Sequence, residues 1–396
     1  MKIPVVEPYD FAAPGRIVFG WGRLAELGPL AAGLGRRAFV VNGSRSLAAA
    51  GVVGRVCDLL RDQGVEPIEL ATISHEPEVV DVDHCVRQLR ARSAGAGDLV
   101  IGLGGGSAID LAKAAAALAT NTAGASVRDY LEGVGLGLSI DGAPLPMIAI
   151  PTTAGTGSEA TKNAVISSYD PPFKKSLRSD HMLPRVVLVD PELAVSCPAR
   201  VTAYTGMDAI TQLIESYVSC RAKALPRALA VDGLRLALPA IVEAVENGSS
   251  RPAREAMAQA ALLSGMALAN SGLGMAHGVA AALGVHLRVA HGLACAVMLP
   301  IAIEVNLPVS GEALARLARE LGIAPTKCSD SDAASRLKAR IDEICTRLKI
   351  PQRLSELGVT AEQLPALARD SRGNSMSGNP RELTDDELLA ILEAHL

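Results

Sequence analysis

An α/β domain followed by an all-helical domain is the architecture this 396-residue chain predicts. Three observations carry it. Up to about residue 190, short apolar stretches alternate with segments of helical periodicity, the pattern of a parallel sheet with helices on both faces. From about Ala199 onward strand signals vanish and helical periodicity alone remains. Pro191 and Pro198 punctuate the change, which sets expected domains at residues 1–195 and 196–396. A chain of this length exceeds one typical core, in keeping with two domains.

Taken in order, Arg16–Gly20 reads as a first strand, and Leu24–Leu34 as a helix. Arg37–Asn42 is a buried strand ending at Gly43-Ser44, and 47–60 is helical. Pro67–Ala71 is a strand, and 79–92 a helix. Asp98–Gly102 is a continuous apolar strand that runs into Gly104-Gly105-Gly106-Ser107, after which 108–118 is an alanine-rich helix. Pro146–Ile150 is another strand, 163–168 and 174–178 form a hairpin turning at Tyr-Asp-Pro-Pro, and 185–190 closes the half. The first domain is thus expected to be Rossmann-like. Helices are expected in the second at 202–219, 225–246, 253–270, 276–286, 293–306, 311–320, 331–347 and 385–394.

Composition narrows the function. A net charge of −4 gives no pull toward nucleic acid or an anionic membrane. Aromatics are 3% of residues, too few for base-stacking platforms. No nucleic-acid partner is expected. The segment Met1–Glu7 has no apolar signal-peptide region, and the apolar run 293–303 is shorter than the roughly 18 residues of a membrane span. Seven cysteines without a Cys-x-x-Cys pair argue against zinc knuckles and a disulfide framework. A cytoplasmic protein is expected.

Two stretches suit a nucleotide. Gly104-Gly105-Gly106-Ser107 joins a strand end to a helix start, where backbone N–H groups can hold a pyrophosphate. A bare tight turn is the competing reading, because glycine is a general turn former. Pro151-Thr-Thr-Ala-Gly-Thr-Gly-Ser-Glu-Ala-Thr161 is rich in small residues and hydroxyls, as a loop that wraps a polar ligand requires.

A third stretch suits a metal. His277, His286 and His291 fall within one short apolar segment. A buried histidine needs a hydrogen-bond partner or a metal; a lone one is usually a satisfied core residue, whereas three together favour a metal. Asp208 and Gln212 lie at i and i+4 on one helix face among apolar neighbours. Asp208, Gln212, His277 and His291 make an O/N donor set that suits Fe2+, Zn2+ or Mn2+.

With these motifs in place the chain resembles the iron-containing (group III) alcohol dehydrogenases. The likeness rests on Phe19-Gly20, Gly104-Gly-Gly-Ser-Ala-Ile-Asp110, Pro151-Thr-Thr-Ala-Gly-Thr-Gly-Ser-Glu159 and Leu188-Val-Asp-Pro-Glu-Leu193. It continues through Gly206-Met-Asp-Ala-Ile-Thr211, His277, His291-Gly292 and Asn379-Pro-Arg-Glu-Leu383. The resemblance implies the dehydroquinate synthase-like, group III alcohol dehydrogenase fold, with NAD(P)(H) and one divalent metal in the cleft between domains. It implies that Gly105, Gly106 and Ser107 hold the pyrophosphate, that Gly43, Gly104 and Asp110 also belong to the cofactor site, that Thr152, Thr153 and Thr156 line the cofactor, and that Lys175 reaches its ribose. It gives Asp208, His277 and His291 a catalytic role through the metal, with Fe2+ the first expectation. The substrate would be a small alcohol, aldehyde or ketone, and a homodimer is an open expectation.

Two positions depart from the family. Gln212 stands where relatives usually have a histidine, and Ala281 where they commonly have one that relays protons; His286 is the nearby substitute. Gly43 stands where NAD-preferring members often have an aspartate. Glycine leaves room for a 2′-phosphate, which Arg45 or Arg36 could pair with, so NADP(H) is expected alongside NAD(H). Two other readings stay open. One is a lyase or cyclase of the dehydroquinate synthase-like type, though only Arg288 is available near 208–291 for a charged substrate. The other is a catalytically impaired nucleotide-binding paralogue, suggested by Gln212 and Ala281.

Overall fold

The computed structural model describes residues 7–396, without the side chains of Arg45 and Ser46. Arg45, a candidate phosphate partner, therefore lies outside the described residues. The first half runs β1 (Ile17–Phe19), α1 (Leu27–Ala32), β2 (Arg37–Gly43), α2 (Arg45–Ala49), α3 (Val52–Arg61), β3 (Glu66–Ile73), α4 (Val79–Ala91), β4 (Asp98–Gly104) and α5 (Gly106–Thr120). It continues with β5 (Met147–Pro151), the hairpin β6 (Asn163–Tyr169) and β7 (Pro172–Arg178), and β8 (Val186–Val189). Six strands form one parallel sheet in the order β1-β8-β5-β4-β2-β3. All seven residues of β4 are buried, as befits a strand covered on both faces.

This strand order places the ligand crevice. From β2 the chain goes to β3 on one side, then returns to β4 on the other. The loops after β2 and β4 therefore diverge, leaving a gap at the carboxyl edge, where open α/β sheets bind ligands. Gly43 ends β2 and Gly104 ends β4 at that gap.

The second half is helical: α6 (Ala199–Val218), α7 (Ala224–Glu246), α8 (Arg251–Ser271), α9 (Met275–Leu287), α10 (His291–Glu320), α11 (Asp330–Arg347), α12 (Leu364–Asp370) and α13 (Asp385–Ala394). The expected helix over 47–60 is two, because Gly51 between them adopts φ 75°. The expected pair 293–306 and 311–320 is one helix with Pro300 and Pro308 inside it. Each proline removes one N–H donor, but the buried side chains on both sides of Pro308, Ile301 to Asn306 and Leu314 to Ala318, keep the helix continuous. By length and composition α10 could cross a bilayer; here it is a core helix packed against α6, α9 and α11. All seven cysteines are free.

The halves meet backbone to backbone. A Cβ on Gly265 of α8 would lie 2.2 Å from Gly157 O, and one on Gly157 would lie 2.6 Å from Gly265 Cα. Gly157 also has φ 60°. Only glycine at both positions lets the threonine loop reach α8, and that contact brings the loop to the helices that carry the candidate ligands.

Candidate active site

At the switch point a cradle is built from missing side chains. No side chain caps α5 at its N-terminus, so the N–H groups of its first turn remain available to an anion. A Cβ on Gly106 would lie 2.7 Å from Thr156 Oγ1, and one on Gly105 3.2 Å from Thr153 Oγ1. Thr152 N donates to Gly104 O at 3.0 Å. Gly104, Gly105, Gly106, Ser107, Thr152, Thr153 and Thr156 thus gather at the ends of β4 and β5. Such a space suits a phosphate approached closely by backbone.

Two expected cofactor contacts are placed differently. Asp110 Oδ2 accepts from Val165 N at 2.9 Å, and its Oδ1 pairs with buried Lys113 at 3.1 Å. Lys113 Nζ also donates to Ser158 O and Thr161 Oγ1, both at 2.8 Å. Asp110 therefore ties α5 to the hairpin and the threonine loop instead of facing the cradle. Lys175 alternates with Lys174 along β7, which puts the two on opposite faces of the hairpin. Lys174 is 7% exposed and paired with Glu76 at 2.7 Å, whereas Lys175 lies opposite Ile166 on the face that carries buried Phe173 and Leu177. Arg36 precedes β2 at the sheet's amino edge, roughly 20 Å along the strand from Gly43, so it cannot serve a 2′-phosphate. Gly43 has a packing reason of its own, since its Cβ would lie 3.0 Å from Gly104 Cα.

Below the cradle the candidate metal ligands converge. Asp208 on α6, His277 on α9, and His291 and Cys295 on α10 bring one donor atom each within 4.8 Å of one another. His277 Nε2 lies 3.2 Å from Asp208 Oδ1, and His291 Nε2 lies 3.9 Å from the same oxygen. The other nitrogen of His277, Nδ1, meets Glu215 Oε2 at 2.6 Å. A carboxylate on the far nitrogen fixes the tautomer that leaves Nε2 for a metal. Glu215 also accepts from Gly274 N at 3.0 Å and Ala276 N at 2.7 Å, so it caps α9 while it aims His277.

Electrostatics suit a cation. Burial disfavours the Asp208 carboxylate, but His291 and His277 outweigh it and hold its carboxyl below the ordinary value. Burial and Lys174 push His291 down to about 4, so this imidazole is neutral at pH 7 and able to donate a lone pair. Its Nδ1 is buried without a partner. Without a metal, burial opposes charge on His277, yet Cys295, Asp208 and Glu215 keep it protonated well above the usual range. A donor set of this chemistry, with a proton in its middle, fits a divalent metal that would displace that proton.

Gln212 is close but turned away. Its Nε2 faces Thr156 O at 3.2 Å and Asp208 Oδ1 at 3.5 Å, while its Oε1 accepts from Ser264 Oγ at 2.7 Å. Thr156 thus touches both the cradle and the ligand cluster. His286 meets Asp370 at 2.7 Å and does not replace the histidine absent at Ala281. Arg288 lies over the Tyr169 ring at 4.3 Å. Sequence reasoning missed Glu215, Cys295 and Lys174. Glu215 follows Asp208 at i+7 and Cys295 follows His291 at i+4, so helical spacing carried a signal for both.

Comparison with known proteins gives the family. Residues 14–191 match the iron-containing alcohol dehydrogenase family, and 202–396 match its C-terminal domain. The chain is 36% identical to long-chain-alcohol dehydrogenase 1 of Geobacillus thermodenitrificans over 96% of both chains. It is 34% identical to sulfoacetaldehyde reductase of Bilophila wadsworthia over 96% of this chain and 97% of that one. A crystal structure of 1,3-propanediol oxidoreductase superposes with TM-score 0.91 at 31% identity, covering 98% of this chain and 100% of that chain. The chain belongs to the iron-containing alcohol dehydrogenase family, whose members are alcohol and aldehyde oxidoreductases.

Proposed function

We propose that this chain interconverts a small alcohol with its aldehyde or ketone, using NAD(H) and a divalent metal held by Asp208, His277 and His291. The observation that carries this reading is the donor cluster joined to the glycine cradle through Thr156. Fe2+ is the metal the family is named for, and Zn2+ and Mn2+ suit the same donors. NAD(H) is proposed as the cofactor, and Arg36, at the amino edge of the sheet, offers no partner to a 2′-phosphate. A solved relative, sulfoacetaldehyde reductase of Bifidobacterium kashiwanohense, was crystallised with NAD+.

The chain's own residues divide the work. Gly104 to Ser107 hold the pyrophosphate, and Thr152, Thr153 and Thr156 orient the remainder of the cofactor. Lys175, on the core-facing side of β7, would reach the ribose, while Lys174 is paired with Glu76 beside His291. Asp208, His277 and His291 hold the metal, with Glu215 aiming His277. The metal supplies Lewis acidity toward a substrate oxygen, and the nicotinamide supplies or accepts the hydride. A lyase or cyclase acting on phosphorylated substrates finds little support, since Lys174, the cation beside His291, is already neutralised by Glu76. Metal analysis of the purified protein, beside NADH and NADPH oxidation across an aldehyde panel, tests the reading. Stoichiometric metal with NADH-linked turnover is expected; cofactor binding without metal or turnover contradicts it.

A further inference from the structure

Cys295 lies one helical turn after His291 on α10, so both side chains leave the same helix face. It is fully buried. Its Sγ is 3.7 Å from His291 Nε2, and its donor atom falls within the 4.8 Å cluster with Asp208 and His277. We propose that Cys295, as a thiolate, is the fourth protein ligand of the metal and that its sulfur biases the site toward Zn2+ over Fe2+. The assignment rests on the metal site proposed above and concerns which residue completes it.

Geometry separates Cys295 from Gln212. Bonds of about 2.0–2.1 Å to nitrogen or oxygen and about 2.3 Å to sulfur set tetrahedral edges near 3.3 Å between N and O, and near 3.6 Å between N and S. The observed 3.2 Å from His277 to Asp208 and 3.7 Å from His291 to Cys295 match those edges. The 3.9 Å from His291 to Asp208 requires a small closure. Gln212 has the right position and the wrong atom. Its Nε2 faces a backbone carbonyl and a carboxylate, both acceptors, and its Oε1 is bonded to Ser264. Turning the amide over would set its oxygen against the Thr156 carbonyl and remove that carbonyl's donor, which is costly in a buried place. Gln212 is therefore a positioning residue for Asp208.

Binding involves no redox change. The thiol proton leaves to solvent as the sulfur lone pair bonds the metal. A soft thiolate favours Zn2+, whereas an amide oxygen would not.

Co2+ is the probe. Loaded anaerobically into the metal-free protein, it should give a thiolate-to-cobalt charge-transfer band in the near ultraviolet. Cys295→Ser should lose the band, Gln212→Ala should keep it, and the Zn2+-over-Fe2+ affinity ratio should fall by about 100-fold in Cys295→Ser. X-ray absorption on zinc-loaded wild type needs no variant and should read one sulfur at about 2.3 Å. Co2+ bound without the band, or zinc without a sulfur neighbour, overturns the cysteine assignment while leaving the metal site standing. A wild type that binds no Co2+ overturns both.

Discussion

His277 sits between two carboxylates, Asp208 at 3.2 Å on Nε2 and Glu215 at 2.6 Å on Nδ1, and each has a separate consequence. Asp208→Ala removes a ligand, so metal and turnover should both be lost; retention of both by metal analysis and assay would show the site is misplaced. Glu215→Gln keeps the size but weakens the aim of His277, and metal affinity should fall about 10- to 100-fold. A chelator competition measures that change, and circular dichroism should report unchanged helix content. Lys175→Met should raise the Kd for NADH, read by fluorescence titration; an unchanged Kd would remove Lys175 from the cofactor site. At this scale the sequence was partly legible. Asp208 stood out as a carboxylate among apolar neighbours. Lys174 and Lys175 are adjacent lysines, and only the strand's facing, set by packing against α9, separates them. Glu76 and Ser264 belong to contacts between distant segments that no local pattern announces.

Elements explain why those residues meet. Glu215 and Asn379 cap α9 from outside it: Glu215 accepts from Gly274 N and Ala276 N, and Asn379 Oδ1 accepts from Met275 N at 3.1 Å. Asn379 is in turn bonded to Asn306 of α10. The Asn379-Pro-Arg motif near the C-terminus therefore holds the helix that presents His277, which gives that distant stretch a physical part in the site. The helix α5 presents the cradle, and there the test is steric. Gly106→Val would push a branched side chain into Thr156, whose Oγ1 lies 2.7 Å from a Cβ at that position. Cofactor affinity should fall by at least about tenfold by calorimetry with metal content retained; unchanged affinity would remove the cradle from the cofactor site. Most elements were readable because period-2 and period-3.6 patterns are strong in long buried segments. Continuity of α10 was not, because Pro308 and Gly311 are local breakers that packing against α11 and α9 overrides.

Across the whole molecule, a buried polar network joins sheet, loop and hairpin. Lys113 and Asp110 of α5 lie beside Glu159 in the threonine loop, and burial, with Asp110 adding to it, raises the Glu159 carboxyl from 4.5 to about 7. A carboxyl whose folded pKa is raised favours folding most below the unfolded value. That contribution is lost as pH rises from about 4.5 through about 7, because the unfolded chain gives up the proton first. Melting temperatures of wild type should therefore include a component that falls over this window, and Glu159→Gln should flatten it; an unaltered profile would mean that Glu159 ionises freely. The parallel sheet and the helical second half followed from sequence pattern. The strand order and the Gly157–Gly265 contact did not, since both depend on which distant segments become neighbours.

The central claim is that the cradle and the ligand cluster act on one substrate. Deuteride transfer tests it: NADH labelled at C4 of the nicotinamide is mixed with metal-loaded protein and an aldehyde, and the alcohol product is analysed by NMR. Wild type should place deuterium at the carbinol carbon, and Asp208→Ala should place none above background. Transfer by Asp208→Ala at the wild-type rate, or no transfer by wild type with metal and NADH both bound, would contradict that claim.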